Sequence, residues 1–188
     1  NRVLPPSLRV NLAREVPPDF HPRSHTLTKT YAYTLHTDDI LPPLLRITRF
    51  HVPRPPLNLS LLAQGAKLME QETSHNFLAF SGQREKARGE GRGGERGVES
   101  VEIQKVSGGL EIRVKGKGFL YHQVRHMVGA LILVSQSKMS LETLRKILES
   151  SPEETSTEFK PSWRLPPPQG LCLEMVVGVR VSGFGLLV

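Results

Sequence analysis

Between Gly116 and Leu131 the chain reads Gly-Lys-Gly-Phe-Leu-Tyr-His-Gln-Val-Arg-His-Met-Val-Gly-Ala-Leu, an apolar stretch that holds Arg125 and two histidines inside it. At 3.6 residues per turn, Leu120, Val124, Met127, Val128 and Leu131 form one apolar face, and Tyr121, His122, Arg125 and Gly129 form the stripe beside it. The spacing therefore predicts a helix with Arg125 at the margin of the core. A guanidinium does not shed its proton, so partial burial obliges it to pair with a carboxylate, a phosphate or backbone carbonyls. An ordinary internal salt bridge is the structural alternative to a functional anion, and most buried charges are paired in that way.

A chain of 188 residues with 38% hydrophobic content suits one domain, residues 1–188, with a sizeable core. Lys and Arg number 25 against 18 Asp and Glu, for a net charge of +7, which favours a polyanionic partner such as RNA but equally fits a merely basic surface. A lone Cys172 excludes an internal disulfide framework. The longest apolar run, Met127 to Val134, falls well short of the roughly 20 residues that span a bilayer, so no membrane partner is expected.

Period-two patterns predict strands at Leu8–Leu12 and Thr26–Thr37, the second placing Tyr31 and Tyr33 on one face. A short strand is expected around Arg49 to Val52, then a helix from Leu59 to Met69 capped by Asn58 or Ser60. Residues 83–97, rich in Gly, Arg and Glu, read as a mobile basic loop. Val98–Val106 and Leu110–Val114 flank Ser107-Gly108-Gly109 as a hairpin. Ser140 caps a helix over Leu141–Leu148, Ser151 to Thr157 is a polar loop, and Pro161 to Gln169 is a stiff connector into a last strand. This interleaving predicts an α+β fold, a mostly antiparallel mixed sheet covered by helices.

Five strings, in one order, carry a family resemblance. They are Asn1 to Pro5 with Val16-Pro-Pro-Asp-Phe-His-Pro-Arg23; Lys29-Thr-Tyr-Ala-Tyr33; His75-Asn-Phe-Leu-Ala-Phe80; the Gly-Phe-Leu-Tyr-His-x-Val-Arg-x-Met-Val-Gly motif around Arg125; and Pro166-Pro-Pro-Gln-Gly-Leu-Cys-Leu173. Together they resemble the tRNA pseudouridine synthase A-like family over nearly the whole chain. The resemblance implies a pseudouridine synthase-like fold and isomerisation of uridine in RNA, with tRNA as partner, no cofactor or metal, and a possible homodimer. One element is missing: the family's nucleophile lies in a Gly-Arg-Thr-Asp-Ala-Gly-Val-His segment, and no such string occurs in the 188 residues. The chain is read as the C-terminal part of the catalytic region, beginning downstream of the nucleophile and inactive by itself.

By the resemblance, Tyr31 stacks on uracil and helps remove the C5 proton, and Arg125 holds the catalytic aspartate ionised. The resemblance likewise places Leu171 at the floor of the uracil pocket; Phe119 and His122, flanking Arg125, are expected to shape it, and Arg23 and Lys29, beside the tyrosine strand, are expected to meet tRNA phosphates. Packing alone explains each aromatic and apolar member, and solvation alone explains the two surface cations. The pairs His21/His25 and His122/His126 have zinc-like spacing, but Gln-Val-Arg inside the second pair and a single cysteine argue against a metal. Two readings without catalysis stand beside the enzyme: an RNA-binding module that keeps the synthase fold, and a protein-interaction domain, whose RNA affinity would be negligible or insensitive to salt.

Overall fold

The structure, a computed structural model, describes residues 1–13, 15–16, 18–22, 24–83, 94–151 and 161–178. Among the described residues six strands form one sheet: β1 (Thr26–His36), β2 (Phe50–His51), β3 (Gln71–Asn76), β4 (Glu95–Val106), β5 (Gly109–Gly116) and β6 (Leu171–Gly178). Their order is β2-β1-β5-β4-β3, and β6 pairs with β1 on the side that β2 also uses. The short β1–β2 pairing is parallel, at Leu35↔Phe50 and His36↔His51, and the other ladders among the described residues are antiparallel. Among the described residues the α-helices are α1 (Leu59–Met69), α2 (Gln123–Ser135) and α3 (Leu141–Glu149).

Alternation on β5 shows why one face is covered. Leu110, Ile112, Val114 and Gly116 are buried, while Glu111, Arg113 and Lys115 between them are half-buried. The buried set joins Tyr33 and Leu35 of β1 in one core with Leu62, Ala66 and Met69 of α1 and Met127, Val128 and Leu131 of α2. The opposite face is laced by charge. Arg113 reaches across β1 to Glu174 at 2.9 Å, and Lys115 meets Glu99 at 3.0 Å. A sheet with one apolar and one solvated face is the ordinary antiparallel solution.

Local signals set the helix starts. Asn58 Oδ1 accepts from the Ser60 and Leu61 amides, and Ser140 Oγ accepts from Thr143 N, so both expected caps are present. The hairpin turn is tighter than its three-residue signal: Gly108, at φ 73°, adopts the left-handed backbone, and Gly109 already belongs to β5.

Three expectations change. The Leu8–Leu12 segment is not a strand but an irregular segment with Leu8, Val10 and Leu12 exposed, because alternation makes a strand only where a neighbouring ladder accepts its backbone groups. The expected loop 83–97 ends earlier, since Glu95 and Arg96 pair with Asn76 and His75 of β3. Residues 84–93 of that loop, and 152–157 of the polar loop, lie outside the described residues. Finally, the helix around Arg125 begins at Gln123. Residues 119–122 form a turn in which His122 takes φ 63° and the Gln123 side chain accepts from Leu120 N at 2.7 Å. A residue in the left-handed region cannot continue a right-handed helix, which periodicity alone does not register.

Candidate active site

Lys29, Tyr31, Tyr33 and Leu35 share one face of β1 because strand side chains alternate. Tyr33 and Leu35 run fully into the core, whereas Lys29 and Tyr31 emerge half-buried at the other end of the strand. There the turn before α2 closes over them. Its Tyr121 carbonyl accepts from Gly82 N at 2.8 Å. Its Phe119 ring stands edge-on to Tyr31, with centroids 5.4 Å apart and planes at 85°, a favoured aromatic geometry. Across β1, Leu171 of β6 is the registered partner of Tyr33, so its side chain falls on the same face.

These groups line one cleft of about 300 Å3, which contains Lys29, Tyr31, Phe119, His122, Arg125 and Leu171, together with Gln123 and Pro168. That volume is at the small end of ligand sites and suits a single planar heterocycle. Six of the residues singled out in the sequence thus meet in one place. Arg23 lies outside the described residues.

Arg125 sits in the first turn of α2, half-buried, and its Nε donates to the Pro166 carbonyl at 2.8 Å. Of the three partner types left open by the sequence, a carbonyl is the one present; among the described residues no carboxylate forms an ion pair with it. The α2 N-terminus adds the positive end of the helix dipole, and no acidic residue occupies the first turn. The cleft is therefore electropositive, with Lys29 and Arg125 in its lining and no acidic residue among the described residues there. Burial, and then the Arg125 charge, hold the His122 imidazole below its ordinary pKa, which favours the neutral ring. The ring also stacks on Tyr121, with centroids 3.7 Å apart.

The connector ahead of β6 was legible as stiff, but not as part of the site. Trp163 stacks on Phe80 at 5.0 Å and donates from Nε1 to His126 Nδ1 at 3.1 Å. Gly129 lets it lie against α2, since a Cβ there would stand 2.8 Å from the Trp163 ring and 3.0 Å from the Arg164 carbonyl. His126 therefore serves Trp163, and His25 Nδ1 accepts from His21 N at 2.8 Å. Among the described residues no group of three or more His, Cys, Asp or Glu side chains gathers to hold a metal, and no helix is long and apolar enough to cross a membrane.

Residues 73–177 match the family model for tRNA pseudouridine synthase. The chain is 40% identical to a tRNA pseudouridine synthase A of Thermus thermophilus over 155 residues, covering 80% of this chain and 58% of that protein. It is 34% identical to one of Geobacter sp. over 176 residues, covering 94% and 66%. With one of Solibacter usitatus it shares 37% identity over 132 residues, covering 70% and 53%. The chain thus spans between about half and two thirds of the length of these relatives.

Proposed function

Because the chain belongs to the tRNA pseudouridine synthase A family, we propose that the intact protein isomerises uridine to pseudouridine in RNA, with tRNA as its substrate class. The observation that supports this most is the meeting of Tyr31, Arg125 and Leu171 in one small, electropositive cleft. The net charge of +7 supports a polyanionic partner.

In this reading a uridine is turned out of its stack into the cleft and held between Tyr31 and Leu171, with Phe119 and His122 shaping the rim. A carboxylate nucleophile, contributed by a Gly-Arg-Thr-Asp-like segment outside these 188 residues, is kept ionised by Arg125, since a cation at close range lowers a carboxylate's pKa. The N1–C1′ bond breaks, uracil reorients, and C5 bonds to C1′. The proton on C5 leaves, with the Tyr31 hydroxyl assisting, and N1 gains one, so the product is an isomer and no cofactor is consumed. Lys29, in the lining of the cleft, meets an RNA phosphate, a role that Arg23 shares. Residues 1–188 alone hold no Gly-Arg-Thr-Asp string and are inactive in this reading. Two copies sharing one tRNA cleft is the assembly that goes with it.

The test is pseudouridine formation on bulk tRNA, read by mass-sensitive labelling, with the full-length protein and its Tyr31→Phe and Arg125→Ala variants. Activity lost in both folded variants is the expected result. Tight RNA binding without pseudouridine on any RNA pool would replace this reading with the RNA-binding module.

A further inference from the structure

Tyr33 is the second tyrosine of the Lys-Thr-Tyr-Ala-Tyr string, and the cleft chemistry leaves it unused. Its ring is fully buried, two residues further into the core than Tyr31, yet it carries a hydroxyl where phenylalanine would pack as well. That hydroxyl donates to the Pro167 carbonyl at 2.6 Å. The preceding carbonyl, of Pro166, accepts from Arg125 Nε. Two consecutive carbonyls of one segment are thus held by the buried tyrosine and by the cleft arginine. Neither Pro167 nor Pro168 has an amide hydrogen, so this stretch has no ladder bonds with which to fix itself.

We propose that Tyr33 is a positioning residue for the cleft: by anchoring the Pro167 carbonyl it fixes the Trp163–Leu171 strap, and through it the orientation of the Arg125 guanidinium and the placement of Pro168 and Leu171. The role rests on the proposed isomerisation for its catalytic consequence, but not for its geometry. The other anchors fit it. Gly170 abuts the Tyr33 ring so closely that a Cβ there would lie 2.7 Å from two ring carbons. Trp163, held by Phe80 and His126, pins the far end of the strap. Burial pushes the Tyr33 hydroxyl well above its ordinary pKa, against the opposing pull of Arg125, so it remains a donor at neutral pH.

The test is Tyr33→Phe in the full-length protein, which removes one oxygen and leaves the ring. Two readouts separate positioning from mere stability. Hydrogen exchange at Arg125 Nε–H, followed by NMR, should quicken about tenfold, the worth of one buried hydrogen bond, while α1 and α3 amides keep their protection. Single-turnover pseudouridine formation should fall by a similar factor, with tRNA affinity within about twofold of the parent. Unchanged exchange at Arg125 overturns the proposal, whatever the activity; a parent protein that makes no pseudouridine overturns the proposed function instead, and the exchange result still decides Tyr33. If Tyr33→Phe does not fold, Gly129→Ala displaces the strap from the helix side without touching Tyr33. It should give the same faster Arg125 exchange, and exchange as slow as the parent's there overturns the proposal equally.

Discussion

The two ends of β1 open on cavities of different make-up. Beyond His36 lies a space of about 710 Å3, bordered by Thr37, Asp38, Asp39, Pro53, Leu57 and Lys105. At the Tyr31 end lies the cleft of about 300 Å3. Around the larger space the charge is exposed and partly paired. Asp39 meets Arg54 at 3.2 Å with both side chains about two thirds or more exposed, and the His36 and His51 rings lie 2.9 Å from the Ile40 and Asp38 carbonyls. Exposed pairs of that kind are screened and contribute little. In the smaller cleft a half-buried guanidinium, hydrogen-bonded to the Pro166 carbonyl, converges with an aromatic pair and a helix N-terminus. Volume alone would select the larger space. Half-buried positive charge beside an aromatic pair is what makes the smaller cleft the candidate site.

The contrast breaks most readily at Tyr31. Tyr31→Phe should slow single-turnover isomerisation by about 10²- to 10⁴-fold if the hydroxyl moves the C5 proton. A rate within about tenfold of the parent would reduce Tyr31 to a stacking surface. Arg125→Ala should cost about 10²- to 10³-fold in the same assay, the range for removing one preorganised electrostatic partner, and Arg125→Lys should recover only part because an ammonium lacks the planar fork. Lys29→Ala should weaken tRNA binding across sequences and lower the slope of log affinity against log salt by about 1, measured by titration at several salt concentrations. A smaller change is expected at His122. Its imidazole titrates below the ordinary value of about 6.5, because of burial first and Arg125 second, so Arg125→Gln should move the midpoint upward but not to the ordinary value, as read by NMR. The sign for stability follows: the neutral His122 contribution is fully present above the unfolded value and is lost as pH falls through the lower folded one. At the far end, Asp38→Asn should leave the rate within about twofold; a larger loss would mean that the 710 Å3 space shares in the reaction.

Much of this was legible because it is local. The Asn58 and Ser140 caps, the α1 span, the β4–β5 hairpin and the shared face of Tyr31 and Tyr33 depend on residues within a few positions of one another. Lys29, Phe119, His122 and Leu171 were reached through motifs, and each lies in the cleft. The failures have the opposite character. Leu8–Leu12 has the right alternation, but a strand needs a partner ladder that alternation does not specify. The Arg125 run has helical periodicity from Leu120, yet the Gln123 side chain and the left-handed His122 turn residues 119–122 away from it. Asn76, within the His75-Asn-Phe-Leu-Ala-Phe80 string, also needed the fold to explain it. Its Nδ2 donates to the Ser150 carbonyl at 2.8 Å while Oδ1 accepts from Leu78 N at 3.0 Å, and an ionised carboxylate has no hydrogen for the first bond.

By itself the sequence determined which residues bear charge and aromatic surface, which faces alternate, where helices start, and that Arg125 needs a partner. It did so because propensity, capping and periodicity act over one or two turns or strands. Tertiary structure decided what Arg125 pairs with and what surrounds Tyr31. The Pro166 carbonyl lies 41 residues from Arg125, and the Pro167 carbonyl 134 residues from the Tyr33 hydroxyl. Contacts across such separations are set by the β1–β6 register and by the seating of the Trp163–Leu171 strap on α2, and no local pattern encodes a distance that only the closed chain creates.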